Sequence, residues 1–335
     1  DVGIVRNKIM DVLRLKTANL PTPLERLDNL NKEFKETVLF MKRDDLTGHC
    51  FGGNKERKLE FIMADAKKKK ASVIVTVGAF QSNHCRMTAV CAARLGMKTE
   101  LILIKTSRDM PEKEGNYFLY ELMNAKIHIV DINRVGEKID EVMERLRNAG
   151  ENPYFIEGGG HNVLGMLGYV FAMEEIKKQS EKIGIRPDYL IMPVGTGTTQ
   201  AGMVLGSRIF DYNVKIIGIS ISRDKERCVK EIAEIIEKTI EYLGLSQKNG
   251  VEAIEVIEDY IGEGYGAFTM TGKNTLRLLA EKEGIVVDPV YNAKALSGVF
   301  DLITKGRING NIFYINTGGL PAIFTRKSIK NILEI

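Results

Sequence analysis

Short runs of consecutive apolar residues, separated by helical stretches, constrain this chain more than any other feature. They occur at Val73–Val77, Leu101–Ile104, Ile127–Val130 and Tyr154–Ile156, and again at Tyr189–Val194, Lys215–Ser220 and Ile312–Asn316. A strand with water on one face alternates apolar and polar residues, whereas a strand covered on both faces does not. Continuous apolar strands joined by helices therefore predict an α/β chain with parallel sheets between helical layers. The two series imply two three-layer lobes, with residues 1–62 and 168–335 in a larger one and residues 63–167 in a smaller one. A further strand is expected at Val38–Lys42, after a short N-terminal helix and an extended Pro21-Thr-Pro-Leu24 segment. No repeat of fixed period, low-complexity tract or flexible linker breaks the pattern.

Between the Val38–Lys42 strand and the first series lies Phe51-Gly-Gly-Asn-Lys-Glu-Arg-Lys-Leu-Glu-Phe61, which opens a helical run reaching about Lys70. From Lys55, helical spacing leads to Leu59, Ile62 and Ala66, an apolar stripe that should face inward. The stripe beside it, Glu56, Glu60 and Lys67 with Met63 among them, should face water. Lys55 thus heads the buried face of its helix, where an ammonium group needs a partner, a shifted pKa or a covalent use. On these residues alone, a lysine that snorkels to water past its apolar stem is the plainer alternative.

Composition narrows the partners. Lys plus Arg number 48 against 44 Asp plus Glu, and a net +4 dispersed over 335 residues argues against nucleic acid or membrane partners. With 44% hydrophobic and 27% charged residues the chain reads as an ordinary globular protein, and no stretch resembles a membrane span or a signal peptide. Its opening Asp1, in place of Met, suggests that an initiator or short leader has been trimmed. The cysteines at 50, 85, 91 and 228 form no CxxC pair or disulfide framework, so a reducing cytoplasm is the expected home. The histidines at 49, 84, 128 and 161 show no metal-ligand spacing, and no metal is expected.

Two strand-to-helix junctions carry chemistry. After Val73–Val77 comes Gly78-Ala-Phe-Gln-Ser-Asn-His84, where Ser82 or Asn83 is a natural N-cap and the backbone N–H groups behind it are free to hold an anion. After Tyr189–Val194 comes Gly195-Thr-Gly-Thr-Thr199, whose glycines and hydroxyls make a phosphate cradle in chemical terms, although a plain tight turn reads equally well there. The loop lacks the third glycine of a dinucleotide site and the Gly-Lys-Ser/Thr ending of a P-loop. A buried lysine with two anion cradles, and no metal set or nucleophile triad, is what a phosphorylated aldehyde cofactor held by imine to lysine would need. The second cradle would take a substrate carboxylate, which describes pyridoxal phosphate acting on an amino acid.

The motifs Lys42-Arg-Asp-Asp-Leu-Thr-Gly48, Gly52-Gly-Asn-Lys55, Gln81-Ser-Asn-His84, Gly195-Thr-Gly-Thr-Thr199, Gly264-Tyr-Gly266, Asp288-Pro-Val-Tyr291 and Asn316-Thr-Gly-Gly319 occur in family order over nearly the whole chain. Together they resemble the tryptophan-synthase-β-like (fold type II) pyridoxal-phosphate enzymes, and within them the branch of 1-aminocyclopropane-1-carboxylate deaminase and D-cysteine desulfhydrase. The resemblance implies that Lys55 carries the cofactor and later moves the substrate Cα proton. It implies that Asn83 meets the cofactor 3'-oxygen and that Ser82, with its neighbouring N–H groups, holds the substrate carboxylate. Gly195, Thr196, Gly197, Thr198 and Thr199 would cradle the phosphate with Asn54 and Lys58. Tyr265 and Tyr291 would line the pocket beside the reacting carbons, and Thr317 would meet the pyridine nitrogen. His84 is counted with the substrate-binding loop, although a structural helix-start role suits it better. A homodimer is the family's expectation.

Within the branch, cyclopropane-opening deaminases carry Glu after the tyrosine that matches Tyr291 and Leu where Thr317 stands. That Glu keeps the pyridine nitrogen protonated, whereas a threonine hydroxyl leaves it neutral, a weaker electron sink that suffices to expel thiolate. Thr317 matches the desulfhydrases; Asn292 departs from both patterns. The expected activity is β-elimination on a small amino acid, D-cysteine giving pyruvate, sulfide and ammonia. The alternatives are 1-aminocyclopropane-1-carboxylate deamination, elimination from cysteate, and a catalytically silent ligand-binding protein.

Overall fold

A computed structural model describes residues 12–105, 112–245 and 254–334. Its strands, in chain order, are β1 (Leu24–Arg26), β2 (Thr37–Arg43), β3 (Val73–Ala79), β4 (Lys98–Lys105), β5 (Lys126–Asp131), β6 (Pro153–Ile156), β7 (Tyr189–Val194), β8 (Lys215–Ser220), β9 (Glu255–Ile257) and β10 (Gly310–Asn316). They form a six-stranded sheet of order β1-β2-β10-β7-β8-β9 and a four-stranded sheet of order β5-β4-β3-β6. All pairings are parallel except β1 with β2, so the extended Leu24 segment is an antiparallel edge strand and the larger sheet is mixed. The helix expected before Pro21 falls partly on residues 1–11, outside the described chain; Val12–Leu20 are irregular.

Both sheets bury both faces, which is why the strand sequences do not alternate. In β2, β7 and β10, Phe40, Leu190, Met192, Phe313 and Ile315 point to one core, made with the Val163–Ile183, Thr198–Ile209 and Lys225–Tyr242 helices. Their neighbours Leu39, Met41, Ile191, Ile312 and Tyr314 point to the other, made with the Met270–Glu283 and Asn292–Thr304 helices. The smaller sheet repeats the arrangement: Ile74 packs with Leu59, Ile62 and Met87, whereas Val73 and Val75 pack with Val142 and Leu146.

The Asn54–Lys68 helix departs from the one-sided expectation. Its apolar stripe is buried, but Glu56, Glu60 and Met63, assigned to water, are buried too, with Glu60 only 1% exposed. Chain segments from outside the helix cover that face and pair with the acids, although Glu56 Oε2 is left without a hydrogen bond. Glu60 receives the Arg14 guanidinium and the Thr17 and Ala18 N–H groups at 2.7, 2.7 and 2.9 Å. Glu56 pairs with His49 Nδ1 at 2.5 Å. On another side the helix crosses Val163–Ile183 so closely that a Cβ on Gly168 would lie 2.5 Å from the Arg57 carbonyl oxygen.

Arg57 anchors this crossing. Its guanidinium donates to Asp44 at 2.9 and 2.8 Å and to Glu175 at 3.1 and 2.8 Å. Lys42 Nζ reaches Glu175 at 2.5 Å, and the Tyr169 hydroxyl donates to Asp44 at 2.6 Å. Burial alone would raise the Asp44 pKa, but the adjoining guanidinium outweighs it and holds the carboxyl below its usual range. Arg57→Ala would strand two carboxylates in the interior, and we expect a loss of about 3–5 kcal/mol in urea unfolding. Lys69→Ala, which removes an exposed pair with Asp65, should leave the midpoint almost unchanged.

Candidate active site

The C-terminal ends of β3, β6, β7, β8 and β10 converge on one cavity of about 440 Å³, the edge where open parallel sheets place ligands. Asn54, Lys55, Lys58, Ser82, Asn83, His84, Gly195, Thr196, Gly197, Thr198, Thr199, Tyr265, Tyr291 and Thr317 all line it, so every site residue singled out from the sequence meets in this one place. Gly158, Gly159, Ser222, Arg223 and Arg227 also line it and were not anticipated. Their signal was positional: Gly158–Gly159 follow β6, and Ser222–Arg223 follow β8, at the same sheet edges as the recognised loops.

Lys55 sits where two glycine motifs touch. The turn before it holds Cys50 and Phe51 at φ 44° and 69°, between Gly48 at 125° and Gly52 at 55°. Buried Arg86 clasps this left-handed turn by donating to the Cys50 carbonyl and, at 3.0 Å, to the Gly52 carbonyl. Asn54 N–H then donates to the Thr317 carbonyl at 3.0 Å. A Cβ on Gly318 would lie 2.7 Å from Gly53 Cα, so the two backbones meet only because residue 318 is glycine, while Gly53 is required by its φ of 125°.

The cavity wall contains no Asp or Glu, while Lys55, Lys58, Arg223 and Arg227 contribute basic side chains, the two arginines sharing Glu231 behind them. Lys55 keeps some accessible area because it faces the cavity, yet protein surrounds its amine, and this desolvation lowers its pKa from 10.5 to about 8. Burial, followed by the Lys55 charge, takes Lys58 well below the ordinary lysine range. Burial, then Lys55 and Lys58, do the same to His84, which is neutral with Nε2 2.9 Å from Thr76 Oγ1 and Nδ1 unpaired.

Each cradle has its own logic. Gly197 takes φ 83° at the start of the Thr198–Ile209 helix, where a Cβ would also meet Ile232 Cγ1 at 2.5 Å. No side chain caps this helix, so its first N–H groups are left for an anion. The hydroxyls are aimed by neighbours: Asn54 Nδ2 donates to Thr199 Oγ1 at 3.1 Å, and His161 Nδ1 lies 2.7 Å from Thr198 Oγ1. At the other cradle Ser82 is the N-cap of the Asn83–Arg94 helix, its Oγ accepting from Cys85 N–H at 3.1 Å. That leaves its hydroxyl proton available.

The two tyrosines form a T-shaped pair with ring centroids 6.0 Å apart, and the Tyr291 hydroxyl donates to that of Tyr265 at 3.2 Å. Burial first, then Tyr265, push the Tyr291 phenol well above its ordinary pKa, so it stays protonated and donates only a hydrogen bond. Asn292, which stands where the deaminases carry Glu, does not line the cavity and is fully buried behind Thr317. Its NH2 donates to Asp288, the Gly318 carbonyl and Thr317 Oγ1 at 2.8, 2.9 and 3.3 Å, and its Oδ1 accepts from Tyr314 and from Thr317 N–H at 3.0 and 3.1 Å.

These residues fit pyridoxal phosphate. A cavity with cations and no carboxylate suits a phosphate dianion and a substrate carboxylate, and an amine with pKa near 8 suits an aldehyde. Among the described residues no His, Cys, Asp and Glu cluster could hold a metal ion.

The sequence model of the family described as pyridoxal-phosphate dependent enzyme matches residues 15–318. Fold and cavity thus define a pyridoxal-phosphate enzyme. A provisionally named 1-aminocyclopropane-1-carboxylate deaminase of Pyrococcus abyssi is 38% identical over 309 residues, 90% of each chain. A D-cysteine desulfhydrase of Klebsiella pneumoniae is 37% identical over 317 residues, 93% of this chain and 95% of its own. The solved structure of an ACC deaminase homologue superposes with a TM-score of 0.89 at 33% identity, over 98% of both chains. The chain therefore belongs to the pyridoxal-phosphate dependent enzymes, as a lyase of the 1-aminocyclopropane-1-carboxylate deaminase and D-cysteine desulfhydrase type.

The Lys55 shift has a measurable sign. Folded, the amine releases its proton near pH 8; unfolded, near 10.5. Between these values the unfolded chain binds more protons, so stability rises with pH. Measured by urea unfolding of cofactor-free protein, the stability of wild type relative to Lys55→Met should be flat below about pH 8 and climb toward 10.5.

Proposed function

We propose that the enzyme catalyses β-elimination from a small amino acid, with D-cysteine converted to pyruvate, hydrogen sulfide and ammonia as the leading reaction. The observation that carries this reading is the cavity wall: Thr317 lines it, Asn292 is tied up behind it, and no carboxylate lines the cavity. A hydroxyl opposite the pyridine nitrogen suits expulsion of a good leaving group better than the opening of a carbon ring.

When bound, pyridoxal phosphate supplies an aldehyde that captures the substrate amine and a ring that draws electrons from Cα. The protein supplies the rest. The uncapped turn at Thr198 and Thr199, with Asn54 and Lys58, holds the phosphate, and Ser82 with the N–H groups behind it orients the substrate carboxylate. Asn83 donates to the cofactor 3'-oxygen. Lys55 Nζ, with a pKa of about 8, is neutral in a useful fraction near neutral pH and takes the Cα proton. The Tyr291–Tyr265 hydroxyl pair, protonated at working pH, donates toward the departing β-substituent.

Similarity to deaminase-named relatives supports 1-aminocyclopropane-1-carboxylate as a second substrate reading. Cysteate, which shares the elimination steps, is a third. All four cysteines are free thiols, which supports a reducing cytoplasm, and no helix among the described residues is long and apolar enough to cross a membrane. The homodimer rests on the resemblance and is checked by sedimentation.

Borohydride reduction of the yellow holoenzyme followed by peptide mapping should place the label on Lys55, and Lys55→Ala should bind cofactor without the label and lose about 10³-fold or more in turnover. Keto-acid release should then be fastest with D-cysteine among D-cysteine, L-cysteine, cysteate and 1-aminocyclopropane-1-carboxylate. Turnover of the cyclopropane substrate alone would overturn the elimination reading.

A further inference from the structure

Gln81 opens the Gln81-Ser-Asn-His84 motif but does not line the cavity. Its side chain points to the Asn116–Leu122 helix instead. Gln81 Oε1 accepts from Asn116 N–H at 2.8 Å, and Gln81 Nε2 donates to the Glu114 carbonyl at 2.9 Å. Asn116 returns the contact: its Nδ2 donates to the Gln81 carbonyl at 2.9 Å and to Asn83 Oδ1 at 2.8 Å.

These bonds assign two amide orientations. The Gln81 carbonyl can only accept, so the Asn116 atom facing it must be nitrogen. The same nitrogen faces Asn83, so the Asn83 atom there must be oxygen. The Asn83 NH2 is thereby turned away from Asn116, toward Gly319, where a built Cβ would lie 2.8 Å from it; Asn83 itself lines the cavity, whereas Asn116 does not. It has no protein partner among the described residues. Asn116 is fully buried, and its own Oδ1 is left unpaired. A buried amide that forgoes a bond to its oxygen is held by what its nitrogen does.

We propose that Asn116 is a positioning residue that locks the Asn83 amide so that only its NH2 can meet the cofactor 3'-oxygen. The proposal rests on the reading that Asn83 donates to that oxygen. A fixed donor there favours the charged form of the 3'-oxygen and lowers the pH at which the cofactor's visible band titrates. Without Asn116 the amide is free to turn its oxygen inward, and the preference weakens or reverses. Asn116 belongs to the smaller sheet's layer, and Glu114 beside it accepts from Arg326 N–H at 2.9 Å, so the lock is itself braced against the last helix of the chain.

The test is a spectrophotometric pH titration of the reconstituted holoenzyme, with cofactor Kd from equilibrium dialysis and thermal melts recorded in parallel. In Asn83→Ala the midpoint of the visible band should rise by about one unit or more. Asn116→Ala and Asn116→Asp should move it in the same direction, and Asn83→Ala combined with Asn116→Ala should match Asn83→Ala alone. If Asn83→Ala leaves the midpoint in place, the assignment of Asn83 to the 3'-oxygen fails and the positioning role falls with it. If Asn83→Ala moves it while Asn116→Ala keeps the wild-type value, Asn83 is correctly placed and the role of Asn116 is overturned, even where the melting temperature drops. Should Asn116→Asp fail to retain cofactor, Asn116→Ala, which introduces no charge, carries the decision.

Discussion

Charge is neutralised on one side of a single helix and withheld on the other. Arg57 points into the interior, where Asp44 and Glu175 receive it and Lys42 completes a balanced set joining β2, the loop after it and the long Val163–Ile183 helix. Lys55 and Lys58, on the same helix, face a cavity with no carboxylate in its wall. The balanced set ties the helix to its neighbours, and the second pair is left without an acid in the cavity wall. An amine whose pKa is lowered by desolvation stays useful only while its surroundings cannot relax toward water or toward an acid, and the Arg57 network prevents that relaxation.

Around this helix the site is assembled by close backbone approach. Gly53 lies against Gly318, Gly168 against Arg57, and Gly319 against Asn83, each at a distance that a side chain would obstruct. Motifs far apart in the chain are therefore two halves of one contact. Behind the cavity wall the same economy continues: Asp288 accepts from three successive N–H groups and from Asn292, Asn292 holds Thr317, and the Thr317 carbonyl caps the helix that bears Lys55.

Much of this was legible in the sequence, and the exceptions have physical causes. Strands β7 and β8 run over Tyr189–Val194 and Lys215–Ser220 as expected, because a strand buried on both faces announces itself as a continuous apolar run. The three-residue strands β1 and β9 sit at the sheet's edges and leave too short a pattern to see. Glu56 and Glu60 were misplaced because helical periodicity presumes one covered face; Arg14, Thr17 and His49 cover a second, and nothing local reports it. Lys55 and the Ser82 and Gly195–Thr199 loops showed through because glycine and hydroxyl residues in unusual density are a local pattern, visible without tertiary structure. Arg223 and Asn116 lie in ordinary-looking stretches, and only tertiary structure brings them to the cavity or to the loop beside it. Asn292, atypical in sequence, is buried behind Thr317, a place that its sequence neighbours do not report.

The carboxylate-free wall has a consequence for how the cofactor should be regarded. Arg223 and Arg227 share Glu231, whereas Lys55 and Lys58 have no acid beside them in the wall and repel one another, a repulsion that a phosphate dianion would relieve. The bound molecule is then a component of the protein's charge balance as well as its reagent. Cofactor capture and the proton on Lys55 are thereby linked through one charge balance.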